Sequence, residues 1–384
     1  MARPIGRGLG LYVHIPFCRS RCHYCDFACH AGRERQMEAY VAALEREISS
    51  YSGSVTPRGG VLDAATLYLG GGTPSLLQPG QLERVLRAAR RHFALAEGAE
   101  VTMEVNPRTG STDLWRVARA GGVNRVSVGA QVFDDALLES LGRDHDVTDV
   151  SRTVGELRDA GFADISLDLM FGLPGQDLVS WEATLDRALA LGPQHFSVYG
   201  LQIEPHTVFG VRAERGQLQL PGEDAERQML DLLVEKMAAA GYRRYEISSW
   251  ARPGHESAHN RIYWLGRPYI GFGTGAHSYL ARRRYAHDRS IDGYLDRPLP
   301  AIPARPQPLR EAMEDAVFMG LRLVQDGVSF ARFRRRFKRE LGEVFGTAIS
   351  RMLDLGMLEV RQDSLCLTPA ALPVANVVFA EFLE

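Results

Sequence analysis

The sequence predicts an α/β protein: a partial or complete βα barrel, an α+β elaboration at its edge, and a C-terminal helical unit with a winged-helix-like pattern. Three observations predict it. From Leu11 to about Tyr199, short apolar runs alternate with stretches of helical apolar spacing. A less regular stretch rich in Gly, His and aromatic residues follows. A Pro-rich link at 300–308 then gives way to helices and a hairpin. The implied units are residues 1–206, 207–304 and 305–384.

The strands fall at 11–15, 66–69, 101–105, 125–128, 165–169 and 196–198, each a short apolar run. Between them, 37–48, 81–93, 113–120 and 181–191 place apolar residues every three or four positions, which lays one apolar stripe along a helix. Six strands joined by helices fit a barrel of parallel strands better than a sandwich. In the second unit a helix is expected at about 225–240 and a short strand at 245–247, followed by a loop containing His259 and His277. The third unit offers helices at 309–324, 330–341 and 345–355 and a hairpin at 357–367. Its basic run from Arg332 to Lys338 reads as a solvated helix face.

A chain of 384 residues that is 45% hydrophobic and 24% charged can bury a large core. Its formal net charge of -2 gives no general attraction to nucleic acid, so no nucleic-acid partner is expected. The first ten residues lack an apolar signal core, and no apolar run is long enough to span a bilayer. The expected compartment is the cytoplasm, with membrane contact, if any, peripheral.

Four of the five cysteines lie between Cys18 and Cys29, poor spacing for a disulfide framework and good spacing for a metal. Cys18, Cys22 and Cys25 form C-x3-C-x2-C just after the first strand, where a loop at the C-terminal face of a βα barrel would hold them. Soft thiolates on one short loop suit an iron–sulfur cluster, and three ligands to a four-iron cluster leave one iron open. Zinc completed by His14, His23 or His30 is the rival, and reduced thiols without a metal are the plain alternative. Cys29 and Cys366 read as structural.

The spacing, with the aromatic Tyr24 before the last cysteine, resembles the radical S-adenosylmethionine superfamily. That resemblance implies a [4Fe–4S] cluster whose open iron binds S-adenosylmethionine. Other strand ends agree with it. Gly70-Gly71-Gly72-Thr73-Pro74-Ser75 resembles the segment that receives the methionine amino group, through Gly71, Gly72 and Thr73. Glu104, in Glu-x-Asn-Pro, resembles the residue that contacts the adenosyl ribose. Tyr12, Gln131, Arg143 and Asp168 resemble further cofactor-pocket positions of the coproporphyrinogen III oxidase-like branch. Independently of any family, Glu104, Gln131 and Asp168 end successive strands where packing gives no reason for polarity, so they line a cavity or form ion pairs.

Within that branch the chain resembles the haem chaperones more than the oxygen-independent oxidases. The oxidases carry a fourth cysteine where this chain has Phe27, and a long N-terminal extension where only eleven residues precede Tyr12. His259-Asn260-Arg261-Ile262-Tyr263-Trp264 resembles a chaperone signature, which makes His259 a candidate ligand to haem iron; a hydrogen-bonding anchor is the alternative. The resemblance implies haem as cargo, acceptor haemoproteins as partners and no catalytic residues. Oxidative decarboxylation of coproporphyrinogen III, and radical chemistry on another substrate, are the competing activities.

Overall fold

The structure, a computed structural model, describes residues 5–6, 8–51, 61–299 and 302–383. The six predicted strands are all present and longer than their apolar runs: β1 (Leu9–Ile15), β2 (Leu62–Gly71), β3 (Phe93–Val105), β4 (Arg125–Gln131), β5 (Asp164–Phe171) and β6 (His195–Gly200). They are parallel, and strands consecutive in sequence are neighbours in the sheet. The crossovers are α1 (Met37–Ser50), α2 (Pro79–His92), α3 (Thr112–Ala120), the pair α4 (Asp135–Ser140) and α5 (Val147–Asp159), and α6 (Leu178–Ala190).

Helix starts follow local chemistry. Ser111, Asp134, Asp146 and Asp177 each accept a backbone N–H of the first turn, and Pro79 opens α2 where its missing N–H costs nothing. On α2, Leu82, Val85, Leu86 and Ala89 are buried at the spacing of one face.

The two faces of β1–β6 differ. Leu11, Val13, Leu67, Leu69, Met103, Val126, Val128, Leu167 and Leu169 are buried in the core that the crossover helices cover. Register puts Tyr12 beside Tyr68, Glu104 beside Ser127, and Asp168 beside Gly129 and Ser197 on the other face. A parallel sheet packed on both sides is usually apolar on both. This second face is polar because it lines the inside of a partial barrel.

Helices α7 (Val208–Glu214) and α8 (Glu223–Ala239) lead to β7 (Arg243–Glu246) and β8 (Ser249–Ala251), which extend the sheet antiparallel beyond β6. On the other edge β9 (Tyr269–Phe272) runs parallel to β1, and β10 (His277–Leu280), β11 (Arg283–Ala286) and β12 (Ile302–Pro306) continue antiparallel. The twelve-stranded order is β12-β11-β10-β9-β1-β2-β3-β4-β5-β6-β8-β7. The Pro-rich link is thus partly a sheet-edge strand; residues 300 and 301 lie outside the described residues. Prolines suit such an edge, where an N–H is not needed.

The stretch expected as a loop around His259 is instead a short helix, α9 (Ala258–Trp264), lying against the N-terminal ends of the strands. Gly10 on β1 admits it, since a Cβ there would lie 3.3 Å from Ile262 and 3.4 Å from the His259 ring. Glu100 on β3 accepts the N–H groups of Ala258 and His259, both at 2.9 Å, and so caps the helix from a different element. Against the cost of burial, the guanidinium of Arg125 stays charged beside Glu100 and Asp164. Glu100→Ala should therefore leave the buried Ala258 and His259 donors unmet and Arg125 with only one of its two carboxylates, with a loss of about 3–5 kcal/mol in urea unfolding. A loss below about 1 kcal/mol would show that this end tolerates water.

After α10 (Ile291–Asp296), the C-terminal unit has a core of its own, including Val317, Leu321, Phe333, Phe345, Leu365 and Phe379. It comprises α11 (Leu309–Leu321), α12 (Phe330–Phe337), α13 (Leu341–Asp354) and α14 (Ala375–Ala380) around the small sheet β13 (Val328–Ser329), β14 (Leu358–Arg361) and β15 (Ser364–Leu367). On α12, Phe333 and Phe337 face in while Arg334, Arg335 and Arg336 are exposed.

Candidate functional site

The cysteine loop leaves the C-terminal end of β1 and is closed at its base. Phe17 and Cys18 pair in parallel with His30 and Ala31, and the His30 N–H donates to the Pro16 carbonyl at 2.7 Å. Fully buried Phe17 packs edge-on against Tyr40. Within the closed loop Cys18, Cys22 and Cys25 are all half-buried. The Thr73 hydroxyl donates to Cys18 Sγ at 3.6 Å and the Arg143 guanidinium to Cys22 Sγ at 3.4 Å. Gly72 lets the neighbouring turn close in, because a Cβ there would stand 2.9 Å from Cys18 Sγ. Three soft thiols on one loop, with donors already aimed at two of the sulfurs, are a donor set that suits an iron–sulfur cluster.

Cys29 is not remote from this group. The chain doubles back so that its buried Sγ lies 3.8 Å from that of Cys25. The contact with Cys29 lowers the Cys18 thiol, while its contact with Cys25 raises that thiol. Phe27, at the position of the oxidases' fourth cysteine, is 68% exposed.

The three nearby imidazoles serve as anchors. His14 Nε2 bonds the Ala28 carbonyl at 2.9 Å, His23 Nδ1 the Ser140 carbonyl at 2.8 Å, and His30 Nε2 the Arg289 carbonyl at 2.9 Å. Burial lowers His14 to about 4, so it is neutral. With Nε2 carrying its proton toward Ala28, Nδ1 accepts from the Tyr12 hydroxyl at 2.9 Å. Tyr40 donates to the His14 carbonyl, also at 2.9 Å, so β1 and the loop are fastened from behind.

Next to the loop, Gly71 adopts φ +113°, and a Cβ there would stand 2.5 Å from the His14 ring. Its N–H donates at 3.0 Å to Glu104, which also accepts from Tyr68 at 2.8 Å. Burial pushes Glu104 up to about 7; the bond from Tyr68 opposes this and the charge of Asp168 adds to it. Asp168 accepts from Ser127 at 3.0 Å and is likewise raised by burial. Neither carboxylate lies in an ion pair among the described residues, and both keep some accessible surface deep inside the molecule.

Gln131 sits at a bulge in β4 with φ +65°, a strained conformation for a side-chain-bearing residue. Arg143 bonds the Gly129 carbonyl at 2.8 Å, Asn106 Oδ1 and Cys22 Sγ, so one guanidinium joins the ends of β3 and β4 to the cysteine loop. Its Nε is buried without an acceptor. Tyr24 packs on the small cluster that includes Leu138, Leu141 and Phe209, where burial strongly raises its phenol. Tyr12, Tyr24, Gly71, Gly72, Thr73, Glu104, Gln131, Arg143 and Asp168 are thus gathered at the barrel interior and its C-terminal mouth. Tyr68, Asn106 and Ser127 belong with them and were missed; their two-residue offsets from Gly70, Glu104 and Gly129 were the available signal.

His259 lies deeper in the barrel, beyond Tyr68 and toward the N-terminal ends of the strands. It is 1% exposed, with Nδ1 bonded to Thr66 Oγ1 at 2.7 Å and Nε2 to the Tyr263 hydroxyl at 2.8 Å. Its ring stacks on Tyr68. The placement in a loop is corrected: with both nitrogens engaged inside the barrel, His259 is an anchor in this conformation, and iron could reach it only if a hydrogen bond broke.

Comparison with known proteins is consistent along the whole chain. Residues 12–188 match the Radical SAM superfamily and 307–374 the HemN C-terminal domain. "Heme chaperone HemW" of Bacillus subtilis (strain 168) is 36% identical over 377 residues, 97% of this chain and 98% of that protein. "Heme chaperone HemW" of Lactococcus lactis subsp. lactis (strain IL1403) is 35% identical over 378 residues, 97% and 96% of the two chains. The solved coproporphyrinogen III oxidase (HemN) from Escherichia coli, a radical SAM enzyme, has the same fold, with TM-score 0.83 and 23% identity over 99% of this chain and 91% of that one.

Proposed function

The chain belongs to the radical SAM superfamily and, within it, to the family of HemW proteins; from that premise we propose that it binds haem and hands it to acceptor haemoproteins. The observation that carries this reading is 36% identity sustained over 97% of the chain with a protein named a heme chaperone. Cys18, Cys22 and Cys25 would hold the [4Fe–4S] cluster. Bound there, cluster and S-adenosylmethionine supply a redox-active centre with a sulfonium ligand.

This chain's residues do the positioning. The bonds of His14 and Tyr40 fix the loop, and Arg143 ties Cys22 to the ends of β3 and β4. Tyr12, Gly71, Gly72, Thr73, Glu104, Gln131 and Asp168 would enclose the methionine and ribose parts, with Tyr24 supporting the loop. Thiolate ligation and a cytoplasmic location go together, since a reducing compartment keeps the thiols available. No helix among the described residues is long and apolar enough to cross a membrane.

Anaerobic titration of the reconstituted protein with haem tests the reading. Saturable, stoichiometric binding with a shifted Soret band is the expected result. An absorption spectrum identical to that of free haem at every ratio would refute it.

A further inference from the structure

A cavity of about 220 Å³ opens in the seam between the sheet edge and the C-terminal unit, away from the cysteine loop. Tyr269, on its wall, is paired with Gly10 at the start of β1, whereas Cys18 follows the other end of that strand. Tyr263 meets Tyr269 edge to face at 4.7 Å and Tyr279 stands 6.4 Å beyond, so the walls are largely flat rings.

The charge in the lining is unbalanced. Three guanidinium groups face one carboxylate, Asp315, and that carboxylate is already shared by Arg284 and Gln307. Arg267 donates to the Gly6 and Gly8 carbonyls at 2.8 Å, and Arg336 to the Tyr279 hydroxyl at 3.2 Å. Neither has an anionic partner among the described residues. Arg336 lies close over Gly266, where a Cβ would stand 2.5 Å from its Nη1.

Flat aromatic walls and a guanidinium without an anionic partner suit a carboxylate carried on a planar conjugated ring. We propose that this seam receives the propionate edge of haem, with Arg336 as donor to a carboxylate and the tyrosine rings against the adjoining pyrrole. This rests on the haem-carrying reading above. The cavity is smaller than the roughly 300–1,000 Å³ of pockets that engulf a ligand, so most of the macrocycle stays outside, as release to an acceptor requires. It also keeps the propionates at the far end of the strands from Cys18, where radical chemistry would not reach them.

The test is equilibrium binding of haem, and of haem with both propionates converted to neutral amides, to the reconstituted full chain. Wild type should bind haem about tenfold more tightly than the diamide. Arg336→Gln should abolish that preference by weakening haem alone. Met319→Trp, which fills the cavity, should weaken both forms with iron content and circular dichroism unchanged. Equal affinity for the two forms, unmoved by R336Q, would overturn the seam site and leave haem binding intact. Failure of wild type to bind either form would overturn the haem reading itself. Because Arg336 is largely exposed, R336Q decides the matter even if Met319→Trp does not fold.

Discussion

Changing any one of Cys18, Cys22 or Cys25 to Ala should abolish the four-iron cluster, whereas Cys29→Ala should leave it at full occupancy. Two thiolates cannot hold such a cluster against water and oxidant. The three share one loop closed at its base, and within that loop Cys29 is the one further cysteine that could replace a missing sulfur. Cys29 is the informative control because its Sγ lies 3.8 Å from that of Cys25, near enough to substitute if proximity alone decided ligation. Iron and sulfide analysis with electron paramagnetic resonance on anaerobically reconstituted variants reads the outcome. Four irons retained in a single Cys18, Cys22 or Cys25 variant would overturn the assignment, and stoichiometric zinc in native protein would restore the zinc alternative.

Glu104→Gln should weaken S-adenosylmethionine binding by about tenfold or more while leaving the melting temperature nearly unchanged. A charge-assisted hydrogen bond to a ligand hydroxyl contributes roughly 1.5–3 kcal/mol, and the amide cannot reproduce it. The acid titrates at about 7 in the folded protein, against 4.5 ordinarily. Between those values the folded state holds the proton more tightly than the unfolded one, so ionisation of Glu104 costs stability as pH rises through that window. Removing the charge removes that cost, which offsets the hydrogen bond lost from Tyr68 or Gly71. Ligand affinity runs the other way: it should fall as pH drops below about 7 and Glu104 becomes protonated, and this dependence should vanish in E104Q. Calorimetry at pH 6 and pH 8 measures both. A large loss of stability with unaltered affinity would make Glu104 a structural group.

The βα core was legible because its strands are apolar runs and its helices carry clear stripes. The loop of cysteines and the Gly70–Ser75 turn were legible because ligands and tight turns demand particular residues at fixed offsets. The α9 helix was not. It has only seven residues, and its one local signal, the Ser257 side chain that accepts the Asn260 N–H, is joined by a distant cap from Glu100, about 160 positions earlier, that the sequence does not announce. The same holds for the bonds of Arg143, whose three partners lie on different elements. His259 shows the limit most plainly. An imidazole in a motif can be read as a ligand, but only its surroundings reveal that both nitrogens are engaged.

The most direct test of the central claim offers the reconstituted, reduced protein two tetrapyrroles in parallel under anaerobic conditions. One sample is loaded with haem and mixed with an apo-haemoprotein; the other receives coproporphyrinogen III and S-adenosylmethionine. The account predicts that haem appears in the acceptor, with its enzymatic activity restored, and that coproporphyrinogen III is recovered unchanged. Catalytic conversion of coproporphyrinogen III to the divinyl product, with no haem reaching the acceptor, would contradict it.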